Sequence, residues 1–103
     1  MNKYQQLYEA LDELDLFLHG FPAVGTNSEG LRAWESKFRS FRDLESEPAL
    51  SSLVRHAGIA IRRIRTATTQ GERNLAIWGV QSIIDIGMAH LRSAPHNCGE
   101  VEA

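Results

Sequence analysis

Apolar residues recur every three or four positions along most of the chain, the spacing of amphipathic helices. No run alternates with period two for long enough to argue a strand. Tyr4, Leu7, Leu11, Leu14 and Leu18 make one stripe and predict a first helix over about 3–19, with Gly20 placed to end it. Leu31, Trp34, Phe38 and Phe41 make a second over about 27–45, where Thr26 and Glu29 have the spacing of a capping box. Its large aromatics are expected to nucleate the core. Pro48 suits a first helical turn and disfavours helix at the residue before it, so a third helix starts there and reaches about 68. Its inner stripe is Leu50, Val54, Ala57, Ile61 and Ile64. Gly58 in its middle costs roughly 1 kcal/mol relative to alanine, which is tolerable where another helix must approach closely.

Thr69 and Glu72 have the spacing of a second capping box, ahead of a fourth helix over about 72–93. Leu75, Ile77, Trp78, Val80, Ile83, Ile84, Ile86, Met88 and Leu91 cover nearly its whole circumference. A helix apolar all round is buried on several sides. It is therefore expected to be the most buried of the four, either ringed by the other three or covered on its spare face by a second copy. The expected fold is all-α, a compact four-helix bundle forming one domain over 1–93, with residues 94–103 as a loose polar tail.

Composition adds limits. A chain of 103 residues with 43% apolar and 23% charged residues is an ordinary globular domain. A net charge of −2 does not pull the whole chain onto nucleic acid or an anionic membrane. The longest apolar-rich segment, 75–91, is broken by Gln81, Ser82, Asp85 and His90, so no membrane association is expected. A single cysteine, Cys98, and an N-terminus without an apolar signal core fit a reducing cytoplasm.

Charge is uneven, however. The stretch from Leu53 to Arg73 holds five of the eleven Lys and Arg residues. Arg55, His56, Arg62 and Arg63 share about a third of the helix circumference, with Arg65 to one side. The segment PALSSLVRHAGIAIRRIRTA resembles the helix-turn-helix of bacterial repressors, with Ala57, Gly58 and Ile59 at the turn. That resemblance implies a recognition helix carrying Arg62, Arg63 and Arg65. It departs from the pattern at Ala60, where Ser or Thr would cap the second helix, and at Ile61, which would face DNA. In one uninterrupted helix Ile61 instead falls on the inner stripe. The arginines are then a solvated face, or one paired with Glu9, Asp12, Glu13 and Asp15 of the first helix.

Reactive chemistry finds little support along the chain. His19, His56, His90 and His96 form no metal-binding pair at helical spacing, and His96 with Cys98 lacks a second pair. No nucleophile elbow or phosphate-cradling glycine loop is present. Arg92 to His96, RSAPH, is similar to the Arg-and-His pair of helical HEPN-type ribonucleases, with a gap one residue shorter that contains Pro95. The expectation is a protein without catalytic residues, cofactor or metal.

Surface recognition remains. Leu16 falls within an acidic face made by Glu9, Asp12 and Glu13, and Phe17 flanks the inner stripe. These five form the candidate partner site, with the Arg62 and Arg63 side as the other candidate surface, unless Leu16 and Phe17 anchor the loop GFPAVG instead. The reading from sequence is thus a small non-enzymatic interaction module: an inhibitor, adaptor or antidote of the kind phages and plasmids carry. It would occlude another protein, and a homodimer is compatible with the girth of the fourth helix. The alternative is a DNA-binding regulator using Arg55, Arg62, Arg63 and Arg65.

Overall fold

Four helices occupy the segments that the apolar spacing marks: α1 (Lys3–Leu18), α2 (Ser28–Arg39), α3 (Pro48–Thr66) and α4 (Gln70–Arg92). They are seen in a computed structural model that describes residues 2–20, 27–41, 44, 47–93 and 95–99. No strand occurs among the described residues. The bundle expected from the sequence is the fold observed.

The helix starts follow local chemistry. The Asn2 side chain accepts from the Gln5 N–H at 2.8 Å, and Asn27 accepts from the Gly30 N–H at 3.0 Å. The second cap is thus Asn27; Thr26, expected in that role, lies outside the described residues. Pro48 occupies the first turn of α3, where its missing N–H has no partner to lose. Thr69 accepts from the Glu72 N–H at 3.1 Å, as the capping-box spacing requires. Glu72 reaches back to the N–H and hydroxyl of Thr68, each at 3.1 Å.

Helix α2 is shorter than expected. It stops at Arg39, where the Ser40 hydroxyl donates to the Lys37 carbonyl at 2.6 Å and competes with continued helix. Phe41 and Leu44 are buried beyond that end, so the apolar stripe outlasts the helix.

Helix α3 packs between α2 and α4, and α1 lies against α4. Leu7, Leu11, Leu14, Leu18, Leu50, Ile61, Ile64, Val80, Ile84 and Leu91 are almost fully enclosed and form the centre of the core. An aromatic ladder closes the α1–α2 side, stepping from Phe17 to Trp34 (6.2 Å between centroids), to Phe38 (6.1 Å) and to Phe41 (6.1 Å).

One expectation is corrected. Helix α4 is not the most buried: Ile77, Val80, Ile84, Gly87 and Leu91 are buried and Ala76, Ile83 and Met88 partly so, while Leu75, Trp78 and Ile86 are each about two-thirds exposed. The other three helices do not ring α4, because only α1 and α3 pack extensively against it and they cover only part of its circumference. After α4 the chain turns back on the helix end over residues 95–99. The Cys98 N–H donates to the Leu91 carbonyl at 2.7 Å, and the N–H groups of His96 and Asn97 donate to Ser93 at 3.0 and 3.1 Å. This return satisfies carbonyls that the helix end would otherwise leave open. Asn97 and Gly99 adopt positive φ (50° and 75°) to make the turn. A Cβ at Gly99 would sit 2.5 Å from the Tyr8 hydroxyl, so only glycine passes over α1 there.

Candidate functional site

Of the residues expected to receive a partner on α1, Glu9, Asp12, Glu13 and Leu16 lie exposed on one face, and Phe17 is partly drawn into the core. Leu16 is 68% exposed. Phe17 is half-buried against Trp34 and belongs to the aromatic ladder. Glu9 and Asp12 are exposed, and Glu13 pairs with Lys37 of α2 at 3.4 Å. Lys37 also sits over the Trp34 ring at 5.3 Å, so these charges join α1 to α2.

Exposed apolar surface is concentrated on α4 instead. Leu75, Trp78 and Ile86 fall on one side of the helix, with Gly79 and Ser82 exposed between them. Beside this stripe lies a groove of about 380 Å³ between α3 and α4, walled by Ala60, Arg63, Glu72, Leu75, Ala76 and Gly79. A ridge next to a groove, with one cation and one anion at its edge, is the form of a helix-docking surface.

The arginines of α3 separate into different roles. Helix α3 runs unbroken through Ala57, Gly58 and Ile59, so the turn implied by the helix-turn-helix resemblance is absent. Its reason is packing: Ala57, Ala60, Ile61 and Ile64 are all buried, which holds one continuous face against the core. Arg65 is drawn inward, with Nε 2.7 Å and Nη2 3.3 Å from the two carboxylate oxygens of Glu35. This fork raises the Arg65 pKa above its ordinary value. Arg62 lies 3.7 Å from the same carboxylate and is otherwise exposed. The internal partner of the strip is therefore Glu35 of α2, not the acidic face of α1. Arg55 and Arg62, with Arg39, rim a second groove of about 580 Å³ between α2 and α3, floored by Phe38, Val54 and Gly58. A Cβ at Gly58 would meet nothing within 4 Å, so this glycine does not serve a close helix approach.

A third constellation joins residues far apart in sequence. His90 and His96 each donate from Nε2 to the same carboxylate oxygen, Oε1 of Glu47, at 3.0 Å. Glu47 precedes α3, His90 is in the last turn of α4, and His96 is on the returning segment. The His90 bond, then the His96 bond, hold the Glu47 carboxyl below its ordinary pKa. The His96 side chain is only 9% exposed and lies against the Tyr4 ring, 4.2 Å between centroids. Spacing rules could not find this group, because its members are 43 and 49 residues apart. The only signal in the sequence was two histidines near the end of the last helix. Cys98, next to His96 in sequence, is buried, and burial raises its thiol pKa, the setting of an inert thiol.

No protein-family model, curated protein or solved structure matches this chain.

Proposed function

We propose that this chain is a small non-enzymatic interaction module that binds another protein through the outer face of α4 and occludes the surface it covers. The carrying observation is the stripe of Leu75, Trp78 and Ile86, each about two-thirds exposed on one side of one helix. Monomeric proteins tolerate such residues singly; aligned and rimmed by charge they favour a partner. Trp78 is the anchor, since tryptophan is the residue type most enriched at binding hot spots. The groove beside Leu75 would receive a side chain from the partner, and Arg63 and Glu72 at its edge would fix orientation. No described helix is long and apolar enough to cross a membrane, which fits a partner that is a protein rather than a bilayer core. The setting proposed is the cytoplasm, where a lone cysteine stays reduced.

The test compares the full chain with Trp78→Glu as bait in the native host, after both are shown to melt alike. Recovery of a protein by the unchanged chain and its loss with Trp78→Glu is the expected result. Equal recovery by both, or none by either, overturns the reading. A stable homodimer in light scattering that Trp78→Glu dissolves also overturns it, because the face would then be occupied by a second copy.

A further inference from the structure

We propose that Glu47, His90 and His96 form a binding site for a zinc-class divalent transition-metal ion. The inference stands on these three residues alone and does not depend on the role of α4 in partner binding. Two imidazole nitrogens and one carboxylate oxygen converge, all within 4.8 Å of one another. Two histidines with one glutamate are a donor set that borderline ions such as Zn²⁺ accept, at metal–ligand distances of about 2.0–2.2 Å. Tetrahedral ligands at that radius stand roughly 3.3 Å apart. The two Nε2–Oε1 separations of 3.0 Å are within a few tenths of an ångström of that value. In the metal-bound form each neutral imidazole carries its proton on Nδ1 and presents the Nε2 lone pair, so the ion replaces both N–H···O bonds.

The site is assembled by the fold. Glu47 is held by its N–H donating to the Leu44 carbonyl at 3.0 Å. His90 is fixed in the final turn of α4, and His96 is set by the return of the chain to Leu91 and by the Tyr4 ring. Little ordering is left for the ion to impose. His96 closes the inner side, while His90 (40% exposed) and Glu47 (27%) leave the outer side open. Three protein ligands with one open position is an arrangement that keeps a water or an incoming ligand on the ion. Binding would fasten the end of α4 and the returning segment to the start of α3.

Tag-free full chain titrated with Zn²⁺, and separately with Co²⁺ as the spectroscopic probe, tests the proposal. One ion per chain is expected, with Co²⁺ developing visible ligand-field bands that Zn²⁺ abolishes. His90→Ala removes an exposed ligand without touching the core and should weaken binding at least about tenfold, as should Glu47→Gln. His19→Ala and His56→Ala should bind as the unchanged chain does. With Zn²⁺ at about a hundredfold excess over its dissociation constant, the melting temperature should rise by roughly 10 °C. Absence of saturable binding, or one-to-one binding that survives His90→Ala, overturns the proposal. Loss of binding in His19→Ala or His56→Ala overturns it equally, by placing the ion elsewhere.

Discussion

Arg65 of α3 forks onto Glu35 of α2, with Nε and Nη2 on separate carboxylate oxygens at 2.7 and 3.3 Å. Glu35 is 6% exposed, the one charged residue buried among those described. Removing Arg65 leaves this buried carboxylate without its hydrogen-bonded cation, with only the exposed Arg62 nearby to offset it. Arg65→Ala should therefore lower the melting temperature clearly, and Arg62→Ala only slightly, because Arg62 is 63% exposed and 3.7 Å away. Arg65→Lys should recover only part of the loss, since an ammonium cannot reproduce the fork. Thermal melts of the three variants check this order, which inverts if solvent-side charge were what mattered.

The glycines of α3 and α4 separate by what surrounds them. A methyl at Gly58 meets nothing within 4 Å, so Gly58→Ala should stabilise the protein by about 1 kcal/mol through helix propensity. At Gly87 a methyl would lie 2.9 Å from Leu53 Cδ1 and 3.0 Å from Leu11 Cδ1, where α1 and α3 close on α4. Overpacking there costs about 1–3 kcal/mol and offsets the propensity gain. Urea midpoints should rise for Gly58→Ala and stay level or fall for Gly87→Ala.

Helix number and inner faces were readable because burial imposes the helical period directly on the sequence. Every member of the expected α3 stripe, Leu50, Val54, Ala57, Ile61 and Ile64, is buried. What periodicity cannot convey is which neighbour covers a face. The girth of α4 suggests burial on all sides, yet Leu75, Trp78 and Ile86 point outward, because only α1 and α3 pack extensively against α4 and leave its remaining face open. Pairing across helices was equally hidden. Glu35 looks like any polar position of α2, and only the approach of α3 makes it the partner of Arg65. The Glu47–His90–His96 group depends on a chain reversal after Arg92, which composition described only as polar tail.

Leu16 and Phe17 are adjacent in sequence and differ in consequence. Leu16→Glu should change stability by no more than about 0.5 kcal/mol, because the side chain is 68% exposed. Phe17→Ser removes the first step of the aromatic ladder and should cost about 1–3 kcal/mol, part of the loss expected for a fully buried phenylalanine. Trp78→Glu, on the exposed face of α4, should melt with the unchanged protein. Chemical denaturation of the three distinguishes them, and a large loss for Trp78→Glu would assign that side chain to the core.

Acid should act through two carboxylates. Hydrogen bonds from His90 and His96 lower the Glu47 pKa, and the Thr68 N–H and hydroxyl lower that of Glu72, each from an ordinary value of 4.5. A carboxyl whose folded pKa lies below its unfolded one binds fewer protons when folded. Its contribution is complete above the unfolded value and is lost as pH falls through the folded one. Stability should thus hold down to about pH 4.5 on account of these two groups and decline below it. Glu47→Gln has no proton to take up at that position, so its melting temperature should fall less steeply over the same acid range. The two curves should draw together once both proteins are fully protonated there. Glu72→Gln should flatten the profile in the same window while leaving the His90–His96 pair in place, and the double variant should be flatter than either. Melts recorded from neutral pH down into the acid range measure the slopes. Parallel profiles for Glu47→Gln and the unchanged chain would show that the two histidine bonds do not hold the carboxylate in solution.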